Sequence, residues 1–243
     1  SIMSKKIAEG TSALVLDVKT GSGAFMSDPK QAAELARTMV QLGIDAGVKT
    51  RALVTAMDVP LGLTAGNALE VRESIEVLAG GGPADVVELT ILLAREMIDA
   101  AGINGKDPAD ALKDGSAMDH WKRMISAQGG DLDAKLPVAR EKHVITADES
   151  GVMTKMDAMK IGLSAWRLGA GRSKQGEKVQ AGAGIEMHSK PGGYIKKGEP
   201  LLTLHTDEPA RFERAIEILS GAIEIKENGK VERLPLVIER ITG

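Results

Sequence analysis

The sequence contains no cysteine, so disulfides and thiolate-bound metals are excluded. A chain without thiols fits a cytoplasmic protein. Aromatics are scarce: two Trp, one Tyr and two Phe in 243 residues. The core must therefore be built from Ala, Val, Leu, Ile and some of the 11 Met, whose unbranched side chains commonly fill gaps. No apolar run is long enough to span a bilayer, and no signal peptide is expected from these residues. A basic surplus is also missing. Net charge is −3, which argues against nucleic acid as a partner. Internal repeats and low-complexity segments are absent as well.

What remains is ordinary globular material, 43% hydrophobic and 27% charged, long enough for one large domain or two smaller ones. "SALVLDVKTGSGAFM" reads as a strand running into a tight loop at Gly21 and Gly23. Asp28-Pro29 is a helix start. Ala32, Leu35, Ala36, Met39 and Leu42 then recur on one helical face, and Gly47 is a stop. "TRALVTAM" is a second strand. A helix bearing Val71, Ile75 and Leu78 on one side follows, then a hydrophobic helix from Asp85. Asp107-Pro108 opens a short helix, and Ser116 is read as the cap of another. This alternation predicts an α/β layer with parallel strands, whose ligands sit beyond the carboxyl ends of the strands. The loops after Val18 and Met57 are therefore the candidate site loops. Past Leu136-Pro137 come short β-prone runs ("KHVITA", "GVMTKM", "AGIEMHS", "LLTLHT", "LPLVIERI") and helices near 157–168 and 208–220. The expected fold is α/β: a mixed sheet with flanking helices, followed by a smaller α+β carboxyl-terminal domain of barrel-sandwich character. The expected division is 1–10 as the end of a helix, 11–136 as the α/β domain and 137–243 as the second domain.

The motif search mostly removes possibilities. "GSGAFM" begins like a dinucleotide loop, but Met26 stands where the third Gly is needed, and the Gly-Lys-Ser/Thr ending of a P-loop is absent. His120, His143, His188 and His205 are scattered with no i,i+4 pair, which disfavours zinc. No Gly-x-Ser-x-Gly elbow occurs. "PGGYIKKGEPLLTLHT" resembles half of a lipoyl-type carrier domain, yet its hairpin lacks the carrier Lys; Lys155 reads instead as part of a strand feeding a capped helix. Arg167, Arg172, Lys174 and Lys178 gather around "GAGRSKQGEK", best read as a solvated loop. Ser1 and Lys5, at i and i+4, share one face of a first helical turn.

Read together, "SIMSKKIAEGTSALVLDVKTGSGAFM", "AGNALEVRES", "ADESGVMTKMDAMKIGLSAWRLGAGR" and "PGGYIKKGEPL" resemble the thymidine and pyrimidine-nucleoside phosphorylases, in order along nearly the whole chain. The resemblance implies an enzyme: phosphate, as co-substrate, displaces the base of a pyrimidine nucleoside to give free base and a pentose 1-phosphate. It implies that Ser1 and Lys5 bind the pyrimidine and that Phe25 lines its pocket. No cofactor is required. A structural monovalent or divalent cation is possible, through carbonyls of Leu61 and Thr64 and the carboxylate of Glu73; Thr64 departs from the family pattern harmlessly if only its carbonyl is used. The family's Lys-His-Ser-Thr-Gly-Gly phosphate motif is not found in these residues, nor is its base-contacting Arg. The chain therefore resembles the carboxyl-terminal part of a cytoplasmic, homodimeric enzyme and is expected to be inactive alone. Two rivals stay open. One is a phosphoribosyltransferase of the anthranilate type, which shares the α/β domain but needs an acidic magnesium motif. The other is a non-catalytic binding or assembly module that reuses the fold.

Overall fold

In a computed structural model, residues 2–231 and 235–243 are described. A short helix, α1 (Ile2–Ala8), precedes β1 (Ala13–Thr20). The chain crosses through α2 (Pro29–Asp45) to β2 (Lys49–Ala56), parallel to β1 from Ala13 opposite Lys49 to Thr20 opposite Ala56. A parallel pair needs such a crossover, because a hairpin cannot return the chain in the same direction. The start of α2 is fixed by Asp28, whose carboxylate accepts from the Lys30 amide at 2.7 Å, with Pro29 in the first turn. Leu16 and Val18 of β1, with Ala52 and Val54 of β2, pack on α2 through Ala32, Ala33, Ala36 and Val40. The expected stripe of α2 is thus rotated: Leu35 and Leu42 are exposed, because the alanines let the helix lie close on the sheet.

Helix α3 (Asn67–Leu78) shows a similar shift. It buries Ala68, Leu69, Glu73 and Val77, while Val71 faces solvent. Helix α4 (Ala84–Ala100) packs against β1 and β2 and is tied to the sheet by ion pairs. Arg51 of β2 meets Glu96 at 3.1 Å and also bonds Asp99. Helices α5 (Pro108–Lys113) and α6 (Ser116–Ala127) follow. The cap of α6 is Gly115, not Ser116; Asp114 accepts from the Ser116 amide at 2.9 Å.

The later part contains two antiparallel sheets. One has the order β3 (Thr64–Gly66), β6 (Gly184–Met187), β8 (Pro200–Thr206), β4 (Glu141–Thr146). The other has β7 (Tyr194–Ile195), β5 (Gly151–Met156), β9 (Ile223–Lys226). With α7 (Ala158–Ala165), a π-helical turn at Trp166–Ala170 and α8 (Phe212–Leu219), they share one core that includes Met153, Met156, Leu168, Ile185, Leu202 and Leu204. Among the described residues the sheets do not close into a barrel. Two pairings cross residue 136. β3 pairs with β6, and β10 (Val237–Thr242) returns to lie antiparallel on β2, completing the first sheet as β1-β2-β10. The fold is mixed α/β with flanking helices and an α+β unit, as expected.

Candidate active site

Because β1 and β2 are parallel, the loops that follow them leave the same end of the sheet. In the first, Gly21 has φ +114°, and a Cβ there would lie 2.5 Å from Asp58 Oδ2. Only glycine allows both that backbone and that approach. Asp58, two residues past the end of β2, organises the pair. Its Oδ1 accepts from the Ser22 amide at 3.0 Å, and its carbonyl accepts from the Ser22 hydroxyl at 3.2 Å and the Ala158 amide at 3.0 Å. The Met57 carbonyl accepts from Gly23 at 2.9 Å. Both loops and the first turn of α7 are thereby locked together.

Phe25 stands at the tip of the first loop, 100% exposed. A fully solvated aromatic ring retains all the apolar area that it could bury against a flat ligand. Lys5 is exposed on α1, which is anchored by Met3. Met3 joins the core containing Leu16 and Val18, and Met26, at the end of the Phe25 loop, packs against that same core. The helix bearing Lys5 and the loop bearing Phe25 therefore share one anchor. Ser1 lies outside the described residues.

The second loop runs from Met57 to β3 and contains Leu61. Glu73, 9% exposed, accepts from the Leu63 amide at 2.7 Å. Its other oxygen faces Gly62, where a Cβ would lie 2.0 Å from it. Burial pushes the Glu73 carboxyl above its usual range; the Leu63 amide, the Thr64 hydroxyl and the Lys190 charge oppose this, while Asp85 adds to it. A desolvated carboxylate is a hard oxygen donor of the kind that calcium and magnesium take. Leu61, Thr64 and Glu73 fit such an ion by donor type. Among the described residues no three acidic or histidine side chains cluster as a ligand set. Asp85 accepts from the Gly62 amide at 3.2 Å and pairs with Lys190 at 3.0 Å; Lys190 also donates to the Pro60 carbonyl.

The histidines have separate surroundings. His120 lies against Arg123, His143 against the Phe212 ring and His188 against the Thr203 hydroxyl. His205 is buried with its Nε2 3.0 Å from Glu186, and burial lowers its pKa despite that carboxylate. In the basic loop, Glu177 accepts from the Ser173 amide at 2.7 Å, and Arg167 lies over the Trp166 ring at 4.4 Å. Sequence reasoning did not find Asp58, Asp85 or Lys190. An acidic residue just past a β-strand was a usable signal for Asp58. Lys190 carried none, because its partners are about a hundred residues away in the chain.

With this geometry in view, two family models match. One, the glycosyl transferase family a/b domain, covers residues 1–120; the other, the pyrimidine nucleoside phosphorylase C-terminal domain, covers residues 152–226. Residues 1–120, which contain both site loops, are thus similar to a glycosyl-transferring a/b domain. Its second unit matches a pyrimidine nucleoside phosphorylase domain, and the chain is similar along nearly its whole length to proteins of that name. It is 58% identical to the thymidine phosphorylase of Mycobacterium tuberculosis (strain H37Rv), over 99% of this chain and 56% of that protein. Pyrimidine-nucleoside phosphorylases of Bacillus subtilis (strain 168) and Geobacillus stearothermophilus are 43% and 42% identical, each over 85% of this chain and 50% of the relative. The chain thus spans about half the length of the curated relatives it matches.

Proposed function

We propose that this chain carries the base-binding side of a pyrimidine-nucleoside phosphorylase acting on thymidine, uridine or both. A phosphate oxygen forms a bond to the anomeric carbon, the bond from that carbon to the base nitrogen breaks, and its electron pair leaves with the base. A proton then completes the free pyrimidine. Negative charge grows on the base as the bond breaks, so donors aimed at its oxygens stabilise the transition state. Lys5 is the charged donor, Ser1 a neutral one, and Phe25 covers the ring. A charge-assisted hydrogen bond from Lys5 contributes roughly 1.5–3 kcal/mol. The carbonyls of Leu61 and Thr64 with Glu73 would hold a structural cation. That ion would neutralise the buried carboxylate and stiffen the second loop. Phosphate is the co-substrate and no further cofactor is invoked.

The observation that carries this reading is the shared anchoring of α1 and the Phe25 loop, in a chain 58% identical to a protein named thymidine phosphorylase. The same reading makes the whole protein a cytoplasmic homodimer, open to fractionation and sedimentation. The direct test supplies the whole protein with thymidine and phosphate and follows thymine by chromatography. Release that requires phosphate and yields pentose 1-phosphate supports the proposal. No release, or equal release without phosphate, contradicts it.

A further inference from the structure

The loop between β2 and β3 has an unusual set of restraints. The Asp58 carbonyl is held by the Ala158 amide, the Leu63 carbonyl by the Met187 amide at 2.7 Å, and the Leu63 amide by Glu73. The Gly62 amide is held by Asp85. Lys190 binds both the loop and one of its carboxylates: its ammonium donates to the Pro60 carbonyl and to Asp85 Oδ2 at 3.0 Å. It arrives from the connection between β6 and β7, in the two-sheet unit. Asp85 and Glu73 are two carboxylates holding adjacent amides of one short segment, so their charges repel. A cation between the loop and these carboxylates offsets that repulsion and keeps both amides bound. The side chain of Lys190 is 24% exposed, so its charge is only partly screened.

We infer that Lys190 is a positioning residue, a built-in cation that shapes the β2–β3 loop and couples the two-sheet unit to the candidate site. The inference rests on the reading that this loop belongs to the site. Its test is amide hydrogen exchange in the protein carrying this chain, compared among wild type, Lys190→Ala and Lys190→Arg. Loss of the ammonium frees Asp85, so exchange at Gly62 should rise roughly tenfold or more in Lys190→Ala. Amides of Leu202 and Leu204 in β8 should keep their wild-type rates. Lys190→Arg, or methylammonium added to Lys190→Ala, should restore much of the protection at Gly62. Unchanged exchange at Gly62 would overturn the inference. So would an equal rise throughout β8, or a loss at Gly62 that neither rescue repairs. Exchange is read without substrate. If Gly62 responds as expected while the wild-type protein releases no thymine, the phosphorylase reading fails and the positioning of the loop by Lys190 stands.

Discussion

The two cores of this molecule differ in the size of the side chains at their centres. Beneath α2 the buried residues are mostly small: Ala32, Ala36 and Ala52 are wholly inaccessible, with Val40 and Val54 beside them. Between the two antiparallel sheets the most buried residues include large ones, Met153, Met156, Ile161, Leu168, Ile185 and Leu204, beside Ala183 and Ala215. The first core brings a helix close to parallel strands and leaves two loops at one end to carry chemistry. The second fills a wide space between sheets that have no such open end. It contributes to the candidate site from outside, through the Ala158 and Met187 amides and the Lys190 ammonium. One unit supplies the site loops and the other supplies much of what holds them.

That contrast predicts different failures. Truncation should hurt the second core most. Met153→Ala empties a fully buried site and should lower unfolding free energy by about 2–5 kcal/mol in urea titrations. A loss under 1 kcal/mol would mean that the space between the sheets collapses freely. The alanine core should be more sensitive to overfilling, with Ala36→Leu costing about 1–3 kcal/mol by the same measurement. If Ala36→Leu were neutral, the close approach of α2 would not be the constraint described. Gly21→Ala combines an unfavourable backbone with a collision against Asp58, and should cost about 1–3 kcal/mol. It should also depress turnover in the whole protein, since Asp58 ties both loops.

The smallest effect concerns pH. Hydrogen bonds from Arg240 and Arg51 hold Glu96 below the usual carboxylate range despite burial, and Arg51 lowers Asp99. Folded-state pKa values below the unfolded ones mean stability that is present above the ordinary carboxylate range and lost as pH falls through the folded values. Melting temperature should therefore drop below about pH 4–5, where carboxylates begin to protonate in the unfolded chain. Arg51→Met should flatten that drop. An unchanged acid slope in the variant would show that these pairs add nothing measurable.

Much of the fold was legible because its signals are local. Asp28-Pro29 and Asp107-Pro108 mark helix starts through a side chain that bonds an amide two residues on. The β-branched runs mark β2, β4, β5 and β10. Less visible were β3 and β9, which are three and four residues long and exist because a distant strand pairs with them. Hydrophobic periodicity misplaced the buried faces of α2 and α3, because small alanines and a buried Glu73 lie there instead of large apolar residues. At the site, Lys5, Phe25 and Glu73 were reached by family resemblance. The charges that shape the second loop, Asp85 and Lys190, become meaningful only once folding brings them together.

The central claim, that this chain presents a charged donor to a pyrimidine, is tested most directly by Lys5→Ala in the whole protein. Lys5 is exposed, so melting temperature should stay within about a degree of wild type. The kcat/KM for phosphorolysis of thymidine should fall roughly ten- to a hundredfold, the loss expected for one charge-assisted hydrogen bond in the transition state. Unchanged kcat/KM together with unchanged affinity for thymine would contradict the account.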